Sequence, residues 1–181
     1  TNPKSFLWSF IKKMQRKYNW YFQDQIKDKQ DFVGINYYFG MDISLLPPFA
    51  KMKNDEKKLT EMGWGVYPNG LFELLISAWG RYKKPVYIFE NGISDEKDTR
   101  RAQYIKVHTE AVRDAIAQGA NVKGYFYWSL LDNFEWLLGY SRKFGLCEID
   151  KETMDRIPRK SYFEYQKLIA GYKGKSQKKR G

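Results

Sequence analysis

Glu90 is the residue of this chain best placed to do chemistry. It ends the apolar run Tyr87-Ile88-Phe89 and is followed by Asn91-Gly92. Pro85 and Val86 open the run and Gly92 closes it, so residues 86–89 read as a buried strand. An ionisable carboxylate directly after such a strand costs free energy unless it has a partner or a task. A salt-bridged strand-end acid is the structural reading. At the mouth of a parallel barrel, the same carboxylate can act as the nucleophile that attacks a sugar's acetal carbon. A second group lies between residues 128 and 136: Trp128, the pair Asp132-Asn133, and Glu135-Trp136. Flat rings pack on the C–H faces of sugars and carboxylates accept bonds from their hydroxyls. Trp128 by itself fits core packing as well as it fits a ligand platform. Asp132 and Asn133 read either as turn formers or as supports of the site. Tyr37 and Tyr38 alternate across one strand, so one of them packs structurally.

These residues need elements to position them. Leu71, Leu74, Leu75, Ala78, Trp79 and Tyr82 recur at helical spacing after Gly70. A second helix is predicted over residues 100–118, with Gly119 as its stop. Residues 4–28 form a long helix or a broken pair, opened by Pro3. Strands are expected at 31–38, 86–90 and 122–129, a hairpin at 140–150 and a last helix at 161–169. Residues 41–62, with Pro47-Pro48 and a run of charges, read as a long surface loop. Strands alternating with helices imply right-handed crossovers and a parallel sheet with helices outside. Each strand ends in polar groups: Asn36 and Tyr38, Glu90 and Asn91, Trp128 and Ser129. The carboxyl ends of parallel strands are where ligands bind, so these groups converge on one site.

Composition excludes several chemistries. One cysteine, Cys147, rules out an internal disulfide and a cysteine zinc site, and fits a reducing, cytoplasmic compartment. It reads as a small hydrophobe. One histidine, His108, leaves no basis for a Ser-His-Asp triad or a His-rich metal site; it is expected on a helix as a surface or packing group. No metal and no other cofactor is called for. No stretch approaches about 20 apolar residues, so no membrane partner is expected. The net charge of +11 draws on Lys173, Lys175, Lys178, Lys179 and Arg180. Residues 173–181 therefore read as a basic, disordered tail. Nucleic-acid binding lacks any supporting motif. Thr1 is not an initiator Met, which hints at cleavage or a start within a longer protein.

Six blocks stand in order: residues 31–38 (DFVGINYY), 63–70 (GWGVYPNG), 88–93 (IFENGI), 122–136 (VKGYFYWSLLDNFEW), 144–150 (FGLCEID) and 156–161 (RIPRKS). Together they resemble the carboxyl-terminal part of a family 1 glycoside hydrolase, the retaining β-glycosidases. The resemblance implies an α/β fold: about three βα units of an eightfold β/α (TIM) barrel, over residues 1–172. It implies Glu90 as the nucleophile that forms a covalent glycosyl-enzyme, held ionised by hydrogen bonds. It implies Tyr38, and with it Asn36, as residues that orient that carboxylate or contact the sugar. Glu135 and Trp136 would hold hydroxyls of the non-reducing sugar, Trp128 would lie beneath it and Phe144 would wall it. A carboxylate at 135 would repel a phosphorylated sugar, favouring a neutral β-glucoside or oligosaccharide, although Arg142 and Lys143 pull the other way.

A retaining glycosidase needs a second carboxyl group about 5–5.5 Å from the first. The family's acid/base lies in an Asn-Glu-Pro segment, and that tripeptide is absent from these 181 residues. Three strands cannot close an eight-stranded barrel. The expected partner is therefore the amino-terminal half of the same barrel, within an enzyme of roughly 400 residues. This segment is expected to be inactive alone. The alternative is a catalytically inert half-barrel or a sugar-binding or interaction module.

Overall fold

The computed structural model describes residues 6–43 and 50–178. Its elements are α1 (Phe6–Ile26) with a 3-10 turn (Lys27–Lys29), β1 (Val33–Asn36), β2 (Met41–Ile43), β3 (Ala50–Met52) and α2 (Pro68–Tyr82). Then come β4 (Val86–Asn91), α3 (Arg101–Ala117), β5 (Val122–Tyr127), a 3-10 segment (Trp136–Ser141), β6 (Cys147–Ile149), β7 (Arg156–Pro158) and α4 (Lys160–Lys178). The central sheet runs β1-β4-β5, parallel throughout, with α2 and α3 as its crossovers. This is the expected partial barrel: three adjacent strands with their helices on one side.

Sequence explains the elements. Proline occupies the first turn of α2, where its missing N–H costs nothing, and the chain leaves the helix at Lys83 in a left-handed conformation. The start of α3 is capped from the preceding loop: Asp95 Oδ2 accepts the N–H groups of Arg100 (2.7 Å) and Arg101 (3.0 Å). Its end is set by Gly119, at φ +93°, which lets Ala120 N–H return to Ala115 O at 3.0 Å. Val33, Ile35, Val86 and Ile88 of the sheet pack against Leu71, Leu75 and Ala78 of α2 and Val112 and Ala115 of α3. Leu75 is fully buried there, and truncating it to alanine would cost about 2–5 kcal/mol. A smaller cluster joins Ile105 and Tyr127 to Leu146, with Tyr162, Tyr165 and Leu168 against it. Asp24 of α1 accepts bonds from Arg81 and Tyr82 at the end of α2, and Trp20 meets Tyr82 edge-on.

Three expectations need correction. The 41–62 segment is not wholly loop: β2 and β3 pair antiparallel. Pro47 and Pro48 lie outside the described residues, as does Pro3. The late hairpin is formed by β6 and β7, not by 140–150. The Trp136–Ser141 stretch winds as 3-10 helix instead, and Gly139 turns its backbone at φ +55°. The basic tail is helical through Lys178 in α4; Lys179 and Arg180 lie outside the described residues.

The opposite face of the sheet carries aromatic rings. Phe32, Tyr87, Phe89 and Phe126 touch in series, with centroids 5.2–6.3 Å apart. Phe89 is 44% and Phe126 54% exposed. Among the described residues, β1 and β5 each pair in the central sheet with β4 alone.

Candidate active site

Alternation on β1 decides between the paired tyrosines. Val33, Ile35 and Tyr37 are buried toward the helices, so Asn36 and Tyr38 belong to the other face. Tyr37 donates its hydroxyl to Tyr67 O at 2.6 Å and is structural. Tyr38 donates to Glu90 Oε2 at 2.7 Å. Burial, and then the bond to Glu90, push the Tyr38 phenol well above its ordinary range, so it stays a neutral donor.

Glu90 itself needs a departure from strand regularity. Strict alternation would place it with Val86 and Ile88, beneath the helices. The ladders do not run straight past this point. β1 pairs Ile35 with Ile88 and then Asn36 with Glu90, and β5 pairs Tyr125 with Ile88 and then Tyr127 with Asn91. Each ladder thus gains one extra β4 residue after Ile88, a bulge of the kind that re-aims side chains. Asn91 takes the buried, helix-facing position and Glu90 is freed to meet Tyr38.

The 128–147 segment supplies the remaining groups. Glu135 is raised above the ordinary carboxylate range, first by burial and then by the negative charge of Glu90, while neighbouring Trp128 opposes both. The two carboxylates therefore share one electrostatic neighbourhood. Gly92 permits the close approach of the two segments: a Cβ there would lie 1.8 Å from Trp128 O. Phe144 is buried, 6.2 Å ring to ring from Tyr38. Asn36 is exposed and reaches the group through its backbone pairing with Glu90. Trp136 is 84% exposed beside Glu135. Five of the seven expected residues, Tyr38, Glu90, Trp128, Glu135 and Phe144, are thus joined by side-chain bonds, ring contacts or charge.

The 128–147 segment is braced from below. Asp132, buried, accepts Gly145 N–H at 2.9 Å and both terminal nitrogens of Arg159 at 3.1 and 2.9 Å. Lys143 Nζ lies 3.8 Å from the same carboxylate. Asn133 donates to Ser129 Oγ at 3.0 Å. Both therefore support the site's loop. His108 is fully buried against Tyr104, the packing role among its two readings.

One residue escaped the sequence reading. Trp64 packs its ring 5.3 Å from Tyr38 and 6.3 Å from Phe144, completing an aromatic wall. Its loop is ordered by Thr60 N–H to Trp64 O at 2.8 Å and by Asn54 Oδ1, which accepts Val66 N–H at 2.8 Å. The flanking glycines of Gly63-Trp64-Gly65 were the signal. Asn91, expected with Glu90 among the strand-end groups that converge on the site, is instead fully buried and hydrogen-bonded behind Glu90. Among the described residues, no cluster of three or more His, Cys, Asp or Glu could hold a metal ion.

The sequence matches the family model for glycosyl hydrolase family 1 over residues 9–174. It is 45% identical over 150 residues to the chloroplastic β-glucosidase-like SFR2 of Oryza sativa subsp. japonica, covering 81% of this chain and 23% of that protein. It is 40% identical over 158 residues to β-glucosidase A of Thermotoga maritima, covering 80% of this chain and 35% of the relative. Among solved structures, the β-glycosidase from Pyrococcus horikoshii superposes with a TM-score of 0.74 at 38% identity, over 84% of this chain and 41% of that one. The chain spans less than half the length of each.

Proposed function

Because the chain belongs to glycosyl hydrolase family 1, we propose that it carries the nucleophile and the non-reducing-sugar site of a retaining β-glycosidase acting on β-glucosides or β-galactosides. The observation that carries this reading is the pairing of Tyr38 with Glu90 at 2.7 Å, with Trp128 and Glu135 in the same electrostatic neighbourhood. The Glu90 carboxylate attacks the anomeric carbon as the bond to the leaving oxygen breaks, giving a glycosyl ester. A proton passes to the leaving group from an acid/base carboxylate in the remainder of the barrel. The same group then takes a proton from water, which hydrolyses the ester and restores Glu90. Tyr38 orients the nucleophile by donating its hydroxyl to Glu90 Oε2. Glu135 accepts bonds from sugar hydroxyls and Trp128 faces the ring.

A neutral sugar suits this site better than a phosphorylated one. Glu135 would repel a phosphate, and Lys143 is already directed at Asp132. The lone cysteine fits work in a reducing, cytoplasmic compartment.

Replacement of Glu90 by alanine in the complete barrel tests the reading. Turnover should fall by several orders of magnitude, and azide should restore it by entering from the vacated side, giving the α-glycosyl azide from a β-glycoside. Turnover near the wild-type rate, or a β-configured azide product, would remove Glu90 from the nucleophile's role.

A further inference from the structure

We infer that Asn91 is a positioning residue for the Glu90 nucleophile, acting by pinning the β4 bulge that turns Glu90 toward the sugar. The inference rests on the reading of Glu90 given above and adds to it the group that fixes its direction. A bulge frees a side chain only while something holds the extra residue in place; otherwise the strand can slip to regular alternation and carry Glu90 beneath the helices.

Asn91 is 0% exposed, and its amide is hydrogen-bonded at both nitrogen and oxygen. Nδ2 donates to Tyr37 O at 2.7 Å and to the Tyr104 hydroxyl at 2.9 Å. Oδ1 accepts the Tyr125 hydroxyl at 2.8 Å. These partners lie just past β1, on α3 and on β5, so one side chain ties β4 to three neighbours. The orientation of the amide is forced, since a backbone carbonyl can only accept. The backbone agrees: Tyr37 N–H donates to Glu90 O at 2.9 Å and Trp128 N–H to Asn91 O at 3.0 Å. Slipping by one residue would bury Glu90 among phenols that burial holds neutral, Tyr104 and Tyr125 among them.

Asn91→Asp keeps the shape and removes both N–H donors. Tyr104→Phe removes one acceptor and keeps the ring stacked on His108. Both are made in the complete barrel and reacted with a 2-deoxy-2-fluoro β-glycosyl fluoride. The saturation curve separates the first-order rate of covalent trapping from the dissociation constant of the probe. Positioning predicts a trapping rate lowered about tenfold or more in Asn91→Asp and by a smaller factor in Tyr104→Phe. The dissociation constant should stay within about threefold, because Trp128 and Glu135 hold the sugar. Wild-type trapping rates in either variant would overturn the inference, as would affinity and rate falling in parallel. If Asn91→Asp does not fold, Tyr104→Phe decides alone. If the wild-type barrel is not trapped on Glu90, the functional reading fails instead.

Discussion

Trp128 favours the ionised form of Glu135, opposing both burial and the negative charge of Glu90. In the proposed role Glu135 accepts from sugar hydroxyls while it is ionised, so sugar binding should weaken as pH falls through its raised titration. Trp128→Phe keeps a ring beneath the sugar and deletes the donor. The variant should show KM raised about tenfold and the acid limb of kcat/KM moved to higher pH, measured as a pH–rate profile beside wild type. An unmoved limb would mean that the indole does nothing for Glu135. At this scale much was legible. Glu90 stood out as a charge ending an apolar strand, and Glu135-Trp136 by its neighbours. Asn91 was named beside Glu90 as a strand-end group, but its buried bracing role was not legible, because its partners come from 13 to 54 residues away. Trp64 was hidden because a ring in a loop declares no side until the loop is folded.

Helix α3 carries a titratable group into the core. His108 Nδ1 lies 2.9 Å from Tyr104 O, and its Nε2 is buried with no partner among the described residues. Desolvation lowers its pKa from 6.5 to about 4, and its ring neighbours Tyr104 and Tyr37 are phenols that burial keeps neutral. The folded state therefore resists the proton that the unfolded chain accepts. The stability this gives is complete above about pH 6.5 and is lost as pH falls toward 4, by roughly 3 kcal/mol at most for a difference of about 2.5 units. Denaturant melts from pH 7 to pH 4 should show a decline that His108→Phe reduces; equal slopes would refute it. Periodicity revealed the helices over α2 and α3 because each has one apolar stripe. It misplaced the late hairpin: 140–150 holds β6 alone, and the partner strand β7 follows at Arg156–Pro158. It also failed at the β4 bulge, since period-two alternation assigns Glu90 to the buried face. Tertiary hydrogen bonds, invisible in a local window, decide both.

The molecule as a whole is a wedge of a barrel with its inner wall uncovered. Phe32, Phe89 and Phe126 face outward at 44%, 44% and 54% exposure. In an eight-stranded barrel the inward rings are buried in layers and no strand edge stays open. The six motif blocks made the fold class readable, because their order mirrors the βα rhythm that the sheet β1-β4-β5 confirms. On our account this wedge brings the nucleophile and the sugar's hydroxyl acceptors, and the rest of the barrel brings the acid/base. The most direct measurement is denaturing mass spectrometry with peptide mapping after a 2-deoxy-2-fluoro β-glycosyl fluoride is added to this chain, alone and within the completed barrel. The account predicts a one-sugar adduct on the peptide containing Glu90, formed in the completed barrel and not on the chain alone. An adduct on any other residue, or none in a completed barrel that turns over substrate, would contradict it.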